Sequence, residues 1–103
     1  MAGRHPKHNL KVVQEGQNPI DLSIFNAGEA DEQINSNVAA TWNEAGLTAS
    51  DALSGWNVRS EDGRAVFNAT AKQGVRLPPG ANRKIGWLRF DRPTNLQVEL
   101  KSK

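Results

Sequence analysis

Cysteine and tyrosine are both absent from this chain of 103 residues. Without cysteine there is no disulfide, no thiolate nucleophile and no cysteine-ligated zinc. Histidine occurs only as His5 and His8, so residues 10–103 cannot assemble a Ser-His-Asp or a Cys-His arrangement. No apolar run approaches the roughly 18–20 residues that a membrane-spanning helix needs. The segment Met1–Leu10 is basic and has no apolar stretch, so it does not read as a secretory signal. Phosphate-cradling glycine loops are missing too, since neither G-x-x-x-x-G-K nor G-x-G-x-x-G occurs. These absences point to a non-catalytic chain with no cofactor and no metal centre. His5-x-x-His8 offers only two ligands on a tail, which is too few for a zinc site.

Charge is unevenly distributed. No Lys or Arg stands between Val12 and Val58, whereas Glu15, Asp21, Glu29, Asp31, Glu32, Glu44 and Asp51 do. From Arg59 onward basic residues dominate, and the net charge is +2 with a pI near 9.3. In an antiparallel sheet, early and late strands become neighbours, so this asymmetry predicts cross-strand pairing of opposite charges. It does not predict nucleic-acid binding, because no basic stripe with interleaved aromatics is present. The acidic run Glu29-Ala30-Asp31-Glu32 reads as a solvated turn, since calcium requires six or more arranged oxygens.

Alternation with a period of two is the main structural signal. Ile20, Leu22 and Ile24 alternate with Asp21 and Ser23. Val38, Ala40 and Trp42 form a second set, and Leu96, Val98 and Leu100 a third. Each reads as a strand with one buried and one wet face. Glu61-Asp62-Gly63 separates two strand-like runs and predicts a hairpin. Leu77-Pro78-Pro79-Gly80 predicts a turn before the long apolar run Ile85–Phe90. The prediction is a single all-β domain over 10–103, preceded by a basic tail or remnant over 1–9. The domain is expected to be an immunoglobulin-like antiparallel β-sandwich of about seven strands. Ser50 as a cap and Gly55 as a stop allow at most one short helical turn near 48–54.

The predicted core is Leu10, Val12, Ile20, Leu22, Ile24, Val38, Ala40, Trp42, Val58, Phe67, Leu77, Ile85, Trp87, Leu96, Val98 and Leu100. The three tryptophans supply the best ligand-binding candidate, because flat aromatic rings stack on sugar rings. Trp42 shares a face with Val38 and Ala40. Trp87 shares one with Ile85 while Leu88 and Phe90 take the other, so that strand reads as covered on both sides. Trp56, which follows Gly55 at a strand start, is the ring expected to face solvent. Asn57, Arg59 and Asp51 are its hydrogen-bonding neighbours in the predicted site.

The segment Ile20–Gly28, Trp42, the pair Gly55-Trp56 and Leu77-Pro78-Pro79-Gly80 resemble immunoglobulin-like accessory modules of bacterial proteins, including those of the cellulose-binding type. Ile85–Asp91 also resembles the ending of a bacterial family of unknown function, in which a similar segment follows a barrel akin to glycoside hydrolases. Arg92-Pro93 and the Pro-Gly turn resemble the late loops of chagasin-like peptidase inhibitors. Against that likeness, Asn18-Pro19 runs directly into a strand and the family's Gly-rich middle loop is missing. The first two resemblances imply a non-catalytic accessory module, packed against an adjacent domain of an exported bacterial parent or against another protein. The alternative they imply is a glycan-binding module. The chagasin likeness implies a peptidase inhibitor.

Overall fold

The structure, a computed structural model, describes residues 9–43, 46–70 and 75–101. Among these residues the chain forms strands and turns but no helix. The strands are β1 (Leu10–Glu15), β2 (Ile20–Asn26), β3 (Glu32–Ile34), β4 (Asn37–Thr41), β5 (Leu47–Ala52), β6 (Trp56–Glu61), β7 (Arg64–Ala69), β8 (Val75–Leu77), β9 (Asn82–Phe90) and β10 (Gln97–Lys101). They build a four-stranded sheet β1-β2-β9-β5, a second four-stranded sheet β10-β4-β7-β6, and a two-stranded sheet β3-β8. All pairings are antiparallel.

The pairings are nested: β2 pairs β9, β3 pairs β8 and β4 pairs β7. The chain therefore runs as one long antiparallel ribbon that starts in the first sheet, crosses through β3-β8 and ends in the second. The remaining strands flank this ribbon in the two sheets. One hydrophobic cluster joins the sheets: Leu22, Ile24, Leu88 and Phe90 from the first, Val38, Ala40 and Phe67 from the second. Trp42 packs edge-on against Phe90 with ring centroids 5.1 Å apart, within the range favoured by aromatic pairs. Gly86 leaves room for the Phe67 ring of the opposite sheet, since a Cβ there would meet Phe67 Cε2 at 2.5 Å.

Asn26 sets the corner where the ribbon leaves the first sheet. Its side chain is fully buried. The amide nitrogen donates to the carbonyls of Ala30 and Leu77, both at 2.9 Å, and its oxygen accepts from Gly28 N–H at 2.9 Å. Its backbone adds bonds from Asn26 N–H to the Ala81 carbonyl and from Gly80 N–H to the Asn26 carbonyl. The Asn-Ala-Gly bend and the Leu-Pro-Pro-Gly turn are thus two halves of one clamp. Gly80 completes it with φ of 76°, a conformation that residues with a Cβ rarely adopt.

The all-β antiparallel sandwich holds, but the strand count and the winding differ from the immunoglobulin-like expectation. An immunoglobulin domain sets strands A-B-E-D against C-F-G. Here β2 waits for the penultimate strand, and both central strands of the second sheet lie between the two partners in sequence. That nesting is closer to a jelly roll. The expected helical turn near 48–54 is instead strand β5. Ladder bonds from β9 decide that segment, with Thr48 as an extra residue between the pairs Leu47↔Phe90 and Ala49↔Arg89. Of the tail over 1–9, including His5 and His8, all but Asn9 lies outside the described residues.

The charge asymmetry produces one cross-strand ion pair, Asp21–Lys84 at 3.7 Å, and a second, Asp31–Arg76 at 3.8 Å, between the residue before β3 and strand β8. Both are solvent-exposed, so each contributes about 0–1 kcal/mol.

Candidate functional site

The four residues singled out from the sequence do not form one site. Trp56 is 5% exposed and belongs to the core, so its ring cannot stack on a ligand. Its indole nitrogen is buried without an acceptor. Asp51 lies on the outer face of the first sheet. Asn57 and Arg59 are exposed on the outer face of the second sheet.

Trp56 is buried because it alternates in phase with Val58 on β6, and a bulge in β9 accounts for Trp87. On β9, Gly86 pairs with Leu22 while Lys84 pairs with Ser23, leaving Ile85 as an extra residue. An extra residue shifts the alternation by one position. Ile85, Gly86, Leu88 and Phe90 are consequently all buried, and Trp87 is turned to the outer face, half-buried. Trp87 was expected in the core, and it is absent from the core cluster. A glycine inside an apolar strand was the available signal, since isolated glycines in strands often mark bulges.

Trp87 stands in a row that crosses the first sheet. Its direct cross-strand neighbours are Asp21 on β2 and Asp51 on β5, and Glu15 on β1 follows beyond Asp21. Strand spacing of roughly 4.8 Å places each aspartate one strand from the indole. Asp21 is tied to Lys84. Asp51 is exposed, and one of its oxygens accepts from Ala52 N–H at 2.9 Å. Val13 and Phe25, both half-buried, occupy the same face. The row lies on open sheet and not in a cleft. It can offer an aromatic surface with acceptors on both sides.

The outer face of the second sheet has different chemistry. Ala39 and Val66 form a low floor, and around Val66 a groove of about 300 Å³ is lined by Asn37, Arg59, Glu61, Arg64 and Asn68. Asn68 donates to Asn57 at 3.4 Å.

A second concavity, of about 460 Å³, opens at the end of the sandwich opposite the Asn26 corner. The amides of Gln14, Gln17, Asn43 and Asn95 line it above Ile20 and Leu96. Gln14 already spends its amide on the Leu96 carbonyl at 3.4 Å.

Residues 9–91 match the family described as Domain of unknown function (DUF8456), and the chain belongs to that family. The matched span runs from the start of β1 through β9. It therefore includes the Asn26 corner, the Trp87 row and the groove on the second sheet. No curated protein matches the chain.

Proposed function

We propose that this domain is a non-catalytic module that binds a glycan on the outer face of its first sheet. Trp87 is the stacking ring, and Asp21 and Asp51 accept hydroxyl hydrogens from the bound sugar. One observation carries the reading: of the three tryptophans, two are buried and the third is turned outward between two carboxylates. An aromatic face bounded by acceptors matches the alternating CH and OH groups of a pyranose. The carboxylates stand on an exposed sheet, and the two cavities lie elsewhere, which favours binding over bond cleavage. As part of a larger protein, the module would hold its parent on a polysaccharide.

The half-buried Val13 and Phe25 on that face favour a second reading, in which the face packs against an adjacent domain or another protein. Affinity electrophoresis through gels cast with neutral polysaccharides separates the two. Retardation by a polysaccharide that Trp87→Ala abolishes supports glycan binding. Unretarded migration through every neutral polysaccharide gel tested defeats it and leaves the packing reading.

A further inference from the structure

The groove on the second sheet differs in chemistry from the Trp87 row. Arg59 on β6 and Arg64 on β7 both line it, held on neighbouring strands by the register Arg59↔Val66 and Glu61↔Arg64. Although Glu61 stands across from Arg64, neither guanidinium makes a hydrogen bond or ion pair with any described residue. Arg76, Lys84 and Arg92 each have a carboxylate partner, and Arg59 and Arg64 differ from the likewise unpaired Arg83 and Arg89 in lining one concavity. Two unpaired guanidiniums facing one concavity are a receptor for an anion, because each presents a rigid fork of donors matched to carboxylate or sulfate oxygens.

A second observation narrows the ligand. Glu61 lines the same groove, and its exposed carboxylate accepts no hydrogen bond from a side chain among the described residues. An ionised carboxylate offers acceptors only, so beside the two guanidiniums it calls for a hydrogen-bond donor. Asn68 stands on the same wall. A simple inorganic anion in its fully ionised form brings no donor. A hydroxylated ring that carries an anionic group brings both.

We propose that this groove binds an anionic saccharide unit, with its carboxylate or sulfate held by Arg59 and Arg64 and a ring hydroxyl donated to Glu61. Val66 is the apolar floor on which the ring would rest. This site lies on the sheet opposite Trp87 and stands or falls independently of the glycan reading given above.

The test is calorimetric titration of the whole chain with four probes: an oligogalacturonate, its neutral methyl ester, a sulfated oligosaccharide of similar length, and inorganic sulfate. The expected result is binding of one or both anionic oligosaccharides that weakens as salt rises. Loss of about tenfold is expected with Arg59→Gln and again with Arg64→Gln, as for other charge-assisted contacts. Trp87→Ala should leave it unchanged. Whichever anionic oligosaccharide binds more tightly identifies the anion. Equal affinity for the neutral ester would overturn the assignment, as would inorganic sulfate binding as tightly as the saccharides. Arginine variants that bind as well as the parent, with thermal melting unchanged, would also overturn it.

Discussion

Asn26 and Trp87 lie on adjacent strands of one sheet, and each occupies the place where the other would be expected. The amide is fully enclosed in the interior, while the indole is turned outward on an open face. Asn26 can be buried because every polar atom of its side chain finds a backbone partner at the corner. A satisfied buried amide specifies geometry, whereas a large ring left outside the core contributes little to folding. The contrast separates a residue that builds the sandwich from one that is available for a ligand, although the sequence presents both in equally conspicuous motifs.

Substitutions at these positions should separate the two roles. The largest stability loss is expected from Asn26→Ala, which strands the Ala30 and Leu77 carbonyls and the Gly28 N–H. We expect a loss of about 3 kcal/mol in urea unfolding, with glycan affinity of the folded fraction unchanged. Gly86→Ala comes next. Its Cβ would meet both the Phe67 ring and the Asp51 carbonyl at 2.5 Å, an overpacking that should cost about 2 kcal/mol. It should also weaken glycan binding, because β5 must move and carries Asp51 away from Trp87. Trp87→Ala should reverse the pattern of Asn26→Ala, with a stability change of about 1 kcal/mol or less and glycan binding weakened about tenfold or more. The smallest effect belongs to Asp51→Asn, which keeps the acceptor for Ala52 N–H. Its stability should not change, and titration should show glycan affinity reduced about threefold. If Asn26→Ala melts like the parent, or Trp87→Ala unfolds the domain, the division of roles fails.

Much of the fold can be read from side-chain alternation. Ile20, Leu22 and Ile24 on β2, with Val38 and Ala40 on β4, face inward as their spacing requires. Val98 and Leu100 on the edge strand β10 are only half-buried, because an edge strand has neighbours on one side. The segment 47–52 was misread because six residues with no clear period carry no decisive local signal. Its state is set by β9, which lies more than thirty residues later. The bridging pair β3-β8 was missed for a related reason: three-residue strands are too short to show alternation. At the candidate site two separate features decide. Parity counted through Ile85 and Gly86 without a bulge places Trp87 with Ile85, and one extra residue in β9 turns it outward. Trp56 reads as exposed because it follows Gly55 at a strand start, yet it alternates in phase with Val58 and faces the core. Nothing local marks Arg64, Glu61 and Asn68 as partners of Arg59, because only the pairing of β6 with β7 brings them together.

The most direct test of the Trp87 assignment is acrylamide quenching of tryptophan fluorescence, with and without a binding polysaccharide, in the parent chain and in Trp87→Phe. The account predicts that one tryptophan of the three is accessible, that the polysaccharide shields it, and that Trp87→Phe removes the accessible component while leaving the shielded emission intact. A quenchable population that survives in Trp87→Phe, or one that no polysaccharide protects, would contradict it.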